Sequence, residues 1–165
     1  MTAPLPPQRL AGYIQAQFPD TAVTVEGEAV VMDKEAWLEV SRFLKDNPTL
    51  DMNYLACISS VDYLDYLEVV YHLLSIKHNH SAVLKVRCYD REDPQVPSVT
   101  SVWLGADLQE REAYDLMGIH FVGHPNLKRL LTWNGFHGHP LRKDYVLRPS
   151  KIELRGSVVE YGAED

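Results

Sequence analysis

The sequence predicts an α+β fold in which a central, mainly antiparallel sheet packs with helices and continues into a long irregular C-terminal arm. Two amphipathic helical patterns come early in the 165-residue chain. Three strand patterns then follow with short links, which favours antiparallel neighbours. Beyond residue 118, glycine and proline recur and regular periodicity is lost. We therefore expect a globular core over 1–107, a helix and basic loop of the same domain over 108–149, and an extended tail over 150–165.

The N-terminal part predicts two helices separated by a hairpin. Apolar residues at helical spacing indicate one helix over 8–18 and a second over 36–44, which an Asn-Pro pair then ends. Asp33 is the expected N-cap of the second helix. Between the two helices, the apolar runs 23–25 and 29–32 flank a Glu-Gly-Glu turn, which is typical of a β-hairpin.

The middle of the chain predicts three consecutive strands, over 54–61, 66–76 and 82–89. The second strand is apolar on both of its alternating faces, which indicates a central strand covered on both sides. The third strand alternates apolar residues with Lys85 and Arg87, so we expect one of its faces to be wet. A polar loop with two prolines follows over 90–97.

A short helix with both ends specified is expected over 108–117. Asp107 is the expected N-cap, and Glu110 three residues later completes a capping box in its aspartate form. Gly118 supplies the left-handed position after the helix, and Ile119 is placed for the apolar contact that accompanies it. In the arm that follows, only 127–131 has a pattern compatible with a helical turn or two.

Composition excludes several classes of protein. Hydrophobic residues make up 45% of the chain and charged residues 24%, which is ordinary for a globular domain. No window approaches the roughly 20 apolar residues of a membrane-spanning helix. The N-terminus also lacks the layout of a signal peptide, so we expect a cytoplasmic protein. Cys57 and Cys88 stand alone, which argues against a thiolate-held cluster or zinc site, and we expect both to be buried.

The charge is unevenly distributed along the chain. Residues 1–123 carry a net charge of −9, residues 124–155 carry +5, and the last ten carry −3. A basic segment on an acidic body suggests a docking surface for an acidic partner, whereas the acidic remainder would repel nucleic acid. The competing interpretation is an ordinary solvated basic face.

Three runs in the last third of the chain are distinctive. They are EREAYDLMGI at 110–119, HPNLKRLL at 124–131 and GHPLRKDY at 138–145. Their order, spacing and turn residues closely resemble the signature of the 30-kilodalton subunit family of respiratory complex I, which in bacteria is the C subunit of NADH–quinone oxidoreductase. The specific part of this resemblance covers about a fifth of the chain.

The resemblance implies a scaffold without catalysis of its own. Members of that family lie in the peripheral arm of complex I, on the cytoplasmic side of the cell membrane. They dock on the 49-kilodalton quinone-site subunit beside iron–sulfur subunits. They hold no cofactor, so FMN and the iron–sulfur clusters are expected in the partners. The complex passes electrons from NADH to quinone and couples this transfer to proton translocation.

The residues that match the family motif are the candidate partner-interface and signature residues. The first group lies on the predicted helix and its end: Glu110, Arg111, Glu112, Tyr114, Asp115 and Gly118. The second group lies in the arm: His124, Pro125, Lys128, Arg129, His139, Pro140, Arg142, Lys143, Asp144 and Tyr145. We expect the charged residues to form an ion-pair network that holds the helix to the basic loop or to the partner. One candidate pair within it is Arg111 with Asp115, one turn apart.

Three alternatives stay open. The resemblance extends to the equivalent subunits of ferredoxin-linked photosynthetic complexes, coenzyme F420-dependent dehydrogenases and membrane-bound hydrogenases. A stand-alone histidine-site metalloenzyme is a remote alternative, since the seven histidines complete no recognisable metal signature. The expected role of His124 and His139, each followed by proline, is to hydrogen-bond backbone groups in fixed turns. The third alternative is a binding module outside redox biology.

Overall fold

The computed structural model describes residues 2–146, together with the backbone of 151–154 and 157–160. The N-terminal half contains β1 (Ala3–Pro4), α1 (Pro7–Gln17), β2 (Val23–Glu26), β3 (Ala29–Asp33), a 3-10 turn (Lys34–Ala36), α2 (Trp37–Asp46), β4 (Tyr54–Asp62) and β5 (Leu67–Ser75). The rest contains β6 (His80–Cys88), β7 (Gln95–Pro97), α3 (Ala106–Met117), β8 (His120–Val122), β9 (Lys151–Leu154) and β10 (Ser157–Glu160).

The α+β class is confirmed, and the sheet is mixed. The main sheet has the order β2-β3-β6-β5-β4, and β1 pairs with the first two residues of β6. The β2–β3, β4–β5 and β5–β6 pairs are antiparallel, whereas β3 and β1 both run parallel to β6. The parallel β3–β6 pair arises because α2 and the β4–β5 hairpin intervene, and such a crossover returns the chain in its original direction.

The core lies between the sheet and the apolar stripes of the helices. Leu10 and Ile14 of α1, and Trp37, Val40 and Leu44 of α2, are fully or almost fully buried in one cluster with the inward residues of β5 and β6. Trp103 joins this core, and its indole Nε1 donates to the carbonyl of Met52 at 2.9 Å. The two early helices therefore form where their sequence periodicity predicts.

The other face of the sheet is covered only in part. Glu68 of β5 is fully buried there and is paired with Lys85 at 3.0 Å and Arg87 at 2.9 Å, both on β6. Ile76, the last residue of the predicted strand 66–76, lies just after the end of β5 and is 71% exposed. The prediction of a strand covered on both sides is therefore correct for the first half of β5 and wrong beyond it.

Several local predictions are wrong. Asp33 precedes the 3-10 turn but makes no side-chain cap hydrogen bond. Cys57 is exposed, because the register of β4 shifts between Leu55 and Cys57. Residues 127–131 contain no helical turn. Three short strands were missed: β1, which pairs with β6, and the pair β7 and β8, which run parallel with Val96 opposite Phe121.

The predicted tail over 150–165 lies partly outside the described residues. Within it, β9 and β10 pair antiparallel. No helix in the described part of the chain is long and apolar enough to cross a bilayer. The division into a core, a signature helix with its arm, and a tail stays a prediction.

Candidate interaction surface

α3 begins earlier than predicted, and its buried stripe includes a carboxylate. The helix starts at Ala106 behind Gly105, and no side chain caps it. Glu110 is fully buried and accepts hydrogen bonds from Ser98 Oγ at 2.6 Å and from the Val99 backbone N–H at 2.7 Å. The expected capping box is therefore wrong, because Glu110 lies on the inner face of the helix and ties α3 to the segment that precedes it.

Burial gives Glu110 an unusual acidity. Loss of solvent raises the pKa of its carboxyl to about 7, although the hydrogen bonds from Ser98 and Val99 favour the ionised form, and Asp107 adds to the rise. The folded state therefore binds this proton more tightly than the unfolded chain does. The stability that the proton confers is complete below the unfolded pKa of 4.5 and is lost as pH rises through about 7.

We expect Glu110→Gln to remove this dependence, because glutamine keeps the acceptor for Val99 and cannot ionise. Urea unfolding at pH 5 and pH 8 measures the effect. The stability of the wild type relative to Glu110→Gln should fall by up to about 3 kcal/mol between the two conditions. Other titrating groups cancel in that difference. A constant difference would show that Glu110 does not titrate in this range.

Asp115 is the main anchor of the arm, here defined as residues 118–146. Its side chain is fully buried, and one carboxylate oxygen accepts three consecutive backbone N–H groups, those of Leu130, Leu131 and Thr132, at 2.7–2.9 Å. The other oxygen accepts from Arg129 at 2.8 Å and from the Thr132 hydroxyl. Burial alone would raise the pKa of Asp115, but these hydrogen bonds from Thr132, Leu131 and Leu130 hold it well below its usual range.

Arg111 does not pair with Asp115. Its guanidinium instead donates to the carbonyls of Lys128 at 3.1 Å and Arg129 at 3.4 Å. The carboxylate of Asp115 is taken by Arg129, which also donates to the carbonyl of Gly138 at 3.0 Å. Both arginines therefore hold the arm in place by contacts within the chain. The expected network joined the helix to the basic loop, and the structure has such a network, but Arg111 binds backbone carbonyls and Arg129 binds Asp115.

The C-terminal end of α3 is closed by the arm. Gly118 has φ +73°, as predicted for the left-handed position. Arg142 Nε donates to the carbonyl of Met117 at 2.7 Å, which places a cation at the negative end of the helix dipole. His139 Nδ1 donates to the carbonyl of Asp115 at 2.9 Å, and burial lowers the pKa of His139, which favours the neutral ring. A Cβ on Gly118 would lie 2.5 Å from the His139 ring.

His124 fixes the first turn of the arm. Its Nε2 donates to the carbonyl of Asp107 at 3.2 Å, and its Nδ1 accepts from the backbone N–H of Asn126 at 3.0 Å. The expectation that His124 and His139 bind backbone groups in fixed turns is therefore confirmed. Tyr145 closes the other end, since its ring stacks on Phe136 and lies against Gly138.

Two functional side chains were missed by sequence reasoning. Asp62, at the end of β4, is almost fully buried and accepts from the backbone N–H groups of Leu64 at 2.7 Å and Lys143 at 2.9 Å. Arg91 binds both oxygens of Asp62 and reaches Asp144 at 3.0 Å. The hydrogen bond from Arg91 is the main cause of the depressed pKa of Asp62. Nothing in the sequence marks an isolated aspartate at a strand end for this role.

The signature residues separate into two groups by exposure. Glu110 and Asp115 are buried, while Arg111, Tyr114, Gly118, His124, Arg129, His139, Pro140, Arg142 and Tyr145 are partly buried. Glu112, Pro125, Lys128, Lys143 and Asp144 are exposed. Exposed apolar side chains accompany this outer group: Leu131 at 63%, Trp133 at 61%, Leu141 at 60% and Val146 at 76%. Apart from Glu110, which holds α3 to the segment before it, the first group folds the arm onto α3, and the second forms the outer surface.

The histidines that invited a metal hypothesis are spread over the fold. His78 and His80 stack 5.6 Å apart at the β5–β6 turn, where their Nε2 atoms donate to the carbonyls of Pro48 and Leu50. His139 and His124 are engaged by α3, as above. Within residues 2–146 no group of three or more His, Cys, Asp or Glu side chains is arranged to hold a metal ion.

Fold and surface together define a class of protein: an α+β domain whose C-terminal segment is irregular, basic and locked onto a short helix by buried ionic hydrogen bonds. The sequence pattern of the family described as the 30 Kd subunit of respiratory-chain NADH dehydrogenase matches residues 30–151. The chain therefore belongs to the respiratory complex I 30-kilodalton subunit family.

Curated relatives carry the corresponding name. The NADH-quinone oxidoreductase C subunit of Moorella thermoacetica is 44% identical over 139 residues, which cover 82% of this chain and 92% of the relative. A C subunit of the same enzyme from Rhizobium meliloti is 42% identical over 139 residues, with 82% and 73% covered. The C subunit of Chloroherpeton thalassium is 39% identical over 152 residues, or 88% of this chain, and the chain spans only 63% of that relative.

One solved structure shares the fold. A chain of the membrane-bound sulfane sulfur reductase, an archaeal respiratory membrane complex, superposes with a TM-score of 0.64 over 85% of both chains. The sequence identity of 22% limits this likeness to the architecture.

Proposed function

We propose that this chain is a cofactor-free accessory subunit of the peripheral arm of a complex I-type NADH–quinone oxidoreductase. Its arm docks on the 49-kilodalton quinone-site subunit, beside iron–sulfur subunits. The chain is not catalytic alone. Electron transfer from NADH through FMN and iron–sulfur clusters to quinone, and the proton translocation coupled to it, take place in the partners on the cytoplasmic side of the membrane.

The observation that carries this proposal is that one set of residues fixes the arm and another set is exposed on it. Carboxylates such as Asp115 and Asp62 bind the arm to the rest of the chain. The arm therefore holds its exposed side chains in fixed positions. These are the basic Lys128 and Lys143 and the apolar Leu131, Trp133 and Leu141. A pre-organised surface of cationic and apolar side chains loses little conformational entropy on binding. Aromatic anchors and cations of this kind are typical of interfaces.

The proposal predicts that charge reversal on the arm weakens assembly. The tagged full chain replaces the untagged one in its source organism, and the membranes are solubilised gently and captured through the tag. With Lys128→Glu or Lys143→Glu we expect at least about a tenfold loss of co-purified quinone-site subunit and of NADH–quinone reductase activity, because like charges would face each other. The matched control is Lys77→Glu, an exposed lysine at the β5–β6 turn.

The same capture separates the alternatives. Co-purification of a flavin- and cluster-bearing NADH dehydrogenase supports the proposal. Capture of a hydrogenase or a ferredoxin-linked assembly would assign the chain to an equivalent complex. Capture of neither, or equal recovery with all three lysine variants, would contradict docking through the arm.

A further inference from the structure

A strained leucine lies at the tip of the β4–β5 turn. Within the described residues, three non-glycine residues have positive φ: Asp51, Asn79 and Leu64. Asparagine and aspartate tolerate the left-handed region because their short polar side chains bond locally. Leu64, at φ +69°, has no such relief, and its side chain is 56% exposed. A strained residue whose apolar side chain faces water points to a role outside the fold.

The turn is fixed by contacts that do not involve the Leu64 side chain. The Leu64 backbone N–H donates to the Asp62 carboxylate at 2.7 Å, and the Tyr63 N–H donates to the Tyr66 carbonyl at 3.0 Å. Asp62 is in turn held by Arg91. These hydrogen bonds would remain with glycine or asparagine at position 64, at a lower conformational cost.

A row of tyrosine rings begins at the tip. Tyr63 is 42% exposed and stacks on Tyr66 with ring centroids 5.0 Å apart. Tyr89 is 64% exposed and lies 5.5 Å from Tyr66, over which the Arg87 guanidinium is placed at 4.8 Å. Clustered tyrosines give rigid, amphipathic contact area, which is the composition of binding hot spots.

The tip and the arm form one continuous surface. The same Asp62 carboxylate accepts from the Leu64 N–H at 2.7 Å and from the Lys143 N–H at 2.9 Å. The two segments are therefore neighbours, with the backbone of Lys143 close to the turn. A protein that binds the outer surface of the arm meets Leu64 at its edge.

We propose that Leu64, beside the row of Tyr63, Tyr66 and Tyr89, inserts into an apolar pocket on the same partner protein that the arm contacts. This inference rests on the proposed function and adds a second anchor to it. The occupant is that partner, because the tip is joined to the arm by a shared carboxylate.

The test compares the stability of Leu64 variants with their ability to capture the partner, because the inference predicts opposite effects on the two. Leu64→Asn and Leu64→Gly remove the apolar side chain and relieve the backbone strain, so both purified variants should unfold at a urea concentration no lower than that of the wild type. In the tagged capture from solubilised membranes, both should lose at least about tenfold in co-purified quinone-site subunit. Leu64→Met keeps an apolar side chain on the strained backbone and should restore most of the capture.

Ile76→Asn is the matched control. Ile76 is an exposed apolar residue at the opposite end of β5, and its exposure of 71% exceeds that of Leu64. Loss of capture with Leu64→Asn but not with Ile76→Asn, at undiminished stability, supports the inference. Equal capture by the wild type and Leu64→Asn overturns it and leaves the proposed function intact. Failure of the wild type itself to capture a flavin- and cluster-bearing assembly overturns both.

Two further outcomes would overturn the inference alone. A lower unfolding midpoint in both Leu64→Asn and Leu64→Gly would show that the leucine serves the fold. Concentration-dependent dimers of the purified wild type that Leu64→Asn abolishes in sedimentation would show that the occupant is a second copy of this chain.

Discussion

Replacing Gly118 with alanine is expected to detach the arm from α3 and to lower the free energy of unfolding by roughly 3 kcal/mol. Two costs combine. A left-handed φ of +73° strains any residue with a Cβ, and that Cβ would stand 2.5 Å from His139 and 3.0 Å from Arg142. Neither side chain can withdraw without loss, because His139 donates to the Asp115 carbonyl and Arg142 to the Met117 carbonyl.

Gly123→Ala separates the two costs. Gly123 also has a positive φ, of +88°, but no atom lies within 4 Å of the position that a Cβ would take. We expect only the backbone penalty there, about 1 kcal/mol. Urea unfolding gives the stabilities, and hydrogen exchange of the Leu130–Thr132 amides reports on the arm. Equal effects of the two substitutions would show that the close approach of His139 and Arg142 is unimportant.

Asp115→Asn is expected to be comparably severe, at roughly 3 kcal/mol. Asparagine has the same shape, but its amide nitrogen cannot accept a hydrogen bond. In one orientation the amide nitrogen would face the three N–H groups of 130–132, and in the other it would face Arg129 and the Thr132 hydroxyl. Either orientation leaves donors unpaired in a buried place. Rapid exchange of the Leu130, Leu131 and Thr132 amides, with little change in the amides of β5, is the expected signature.

Glu112→Gln is the control on the same helix, because Glu112 is exposed. It should change stability by less than about 0.5 kcal/mol. The pH dependence gives a second check. The pKa of Asp115 is depressed in the folded state, so its contribution is full above the unfolded value of 3.8, begins to decline below that value and is lost as pH falls through the lower pKa of the folded state. Wild-type protection of these amides at pH 3 equal to that at pH 6 would contradict the role of the carboxylate.

Local rules predicted the parts of the fold that depend on neighbours in sequence. Both early helices, the first hairpin and the strands β4, β5 and β6 occur where their periodicity placed them, and Gly118 ends α3 as a left-handed glycine. The strands β1, β7 and β8 have only two or three residues each, which is too short for a periodic pattern. The parallel pairing of β3 with β6 joins segments far apart in sequence, which periodicity cannot specify.

The candidate surface could be predicted only in part, again because its contacts join segments far apart in sequence. The matched motif identified the charged residues but not their partners. Glu110 has the spacing of a capping box, yet Ser98 and Val99 lie at bonding distance on its buried side, so the carboxylate turns inward. Asp115 suits an i,i+4 pair with Arg111, yet three backbone N–H groups and Arg129 satisfy it better. Such choices depend on how the arm folds back.

Among the described residues, the groups outside the arm that bond to it precede it in the chain, and they include Asp62, Arg91, Arg111, Asp115 and the last carbonyls of α3. Synthesis on the ribosome therefore delivers the arm after its anchors. Asp62 ends β4 and Arg91 follows β6, so these two anchors come together only when β4, β5 and β6 have paired. We therefore expect an unfinished molecule to leave the arm without the groups that hold it.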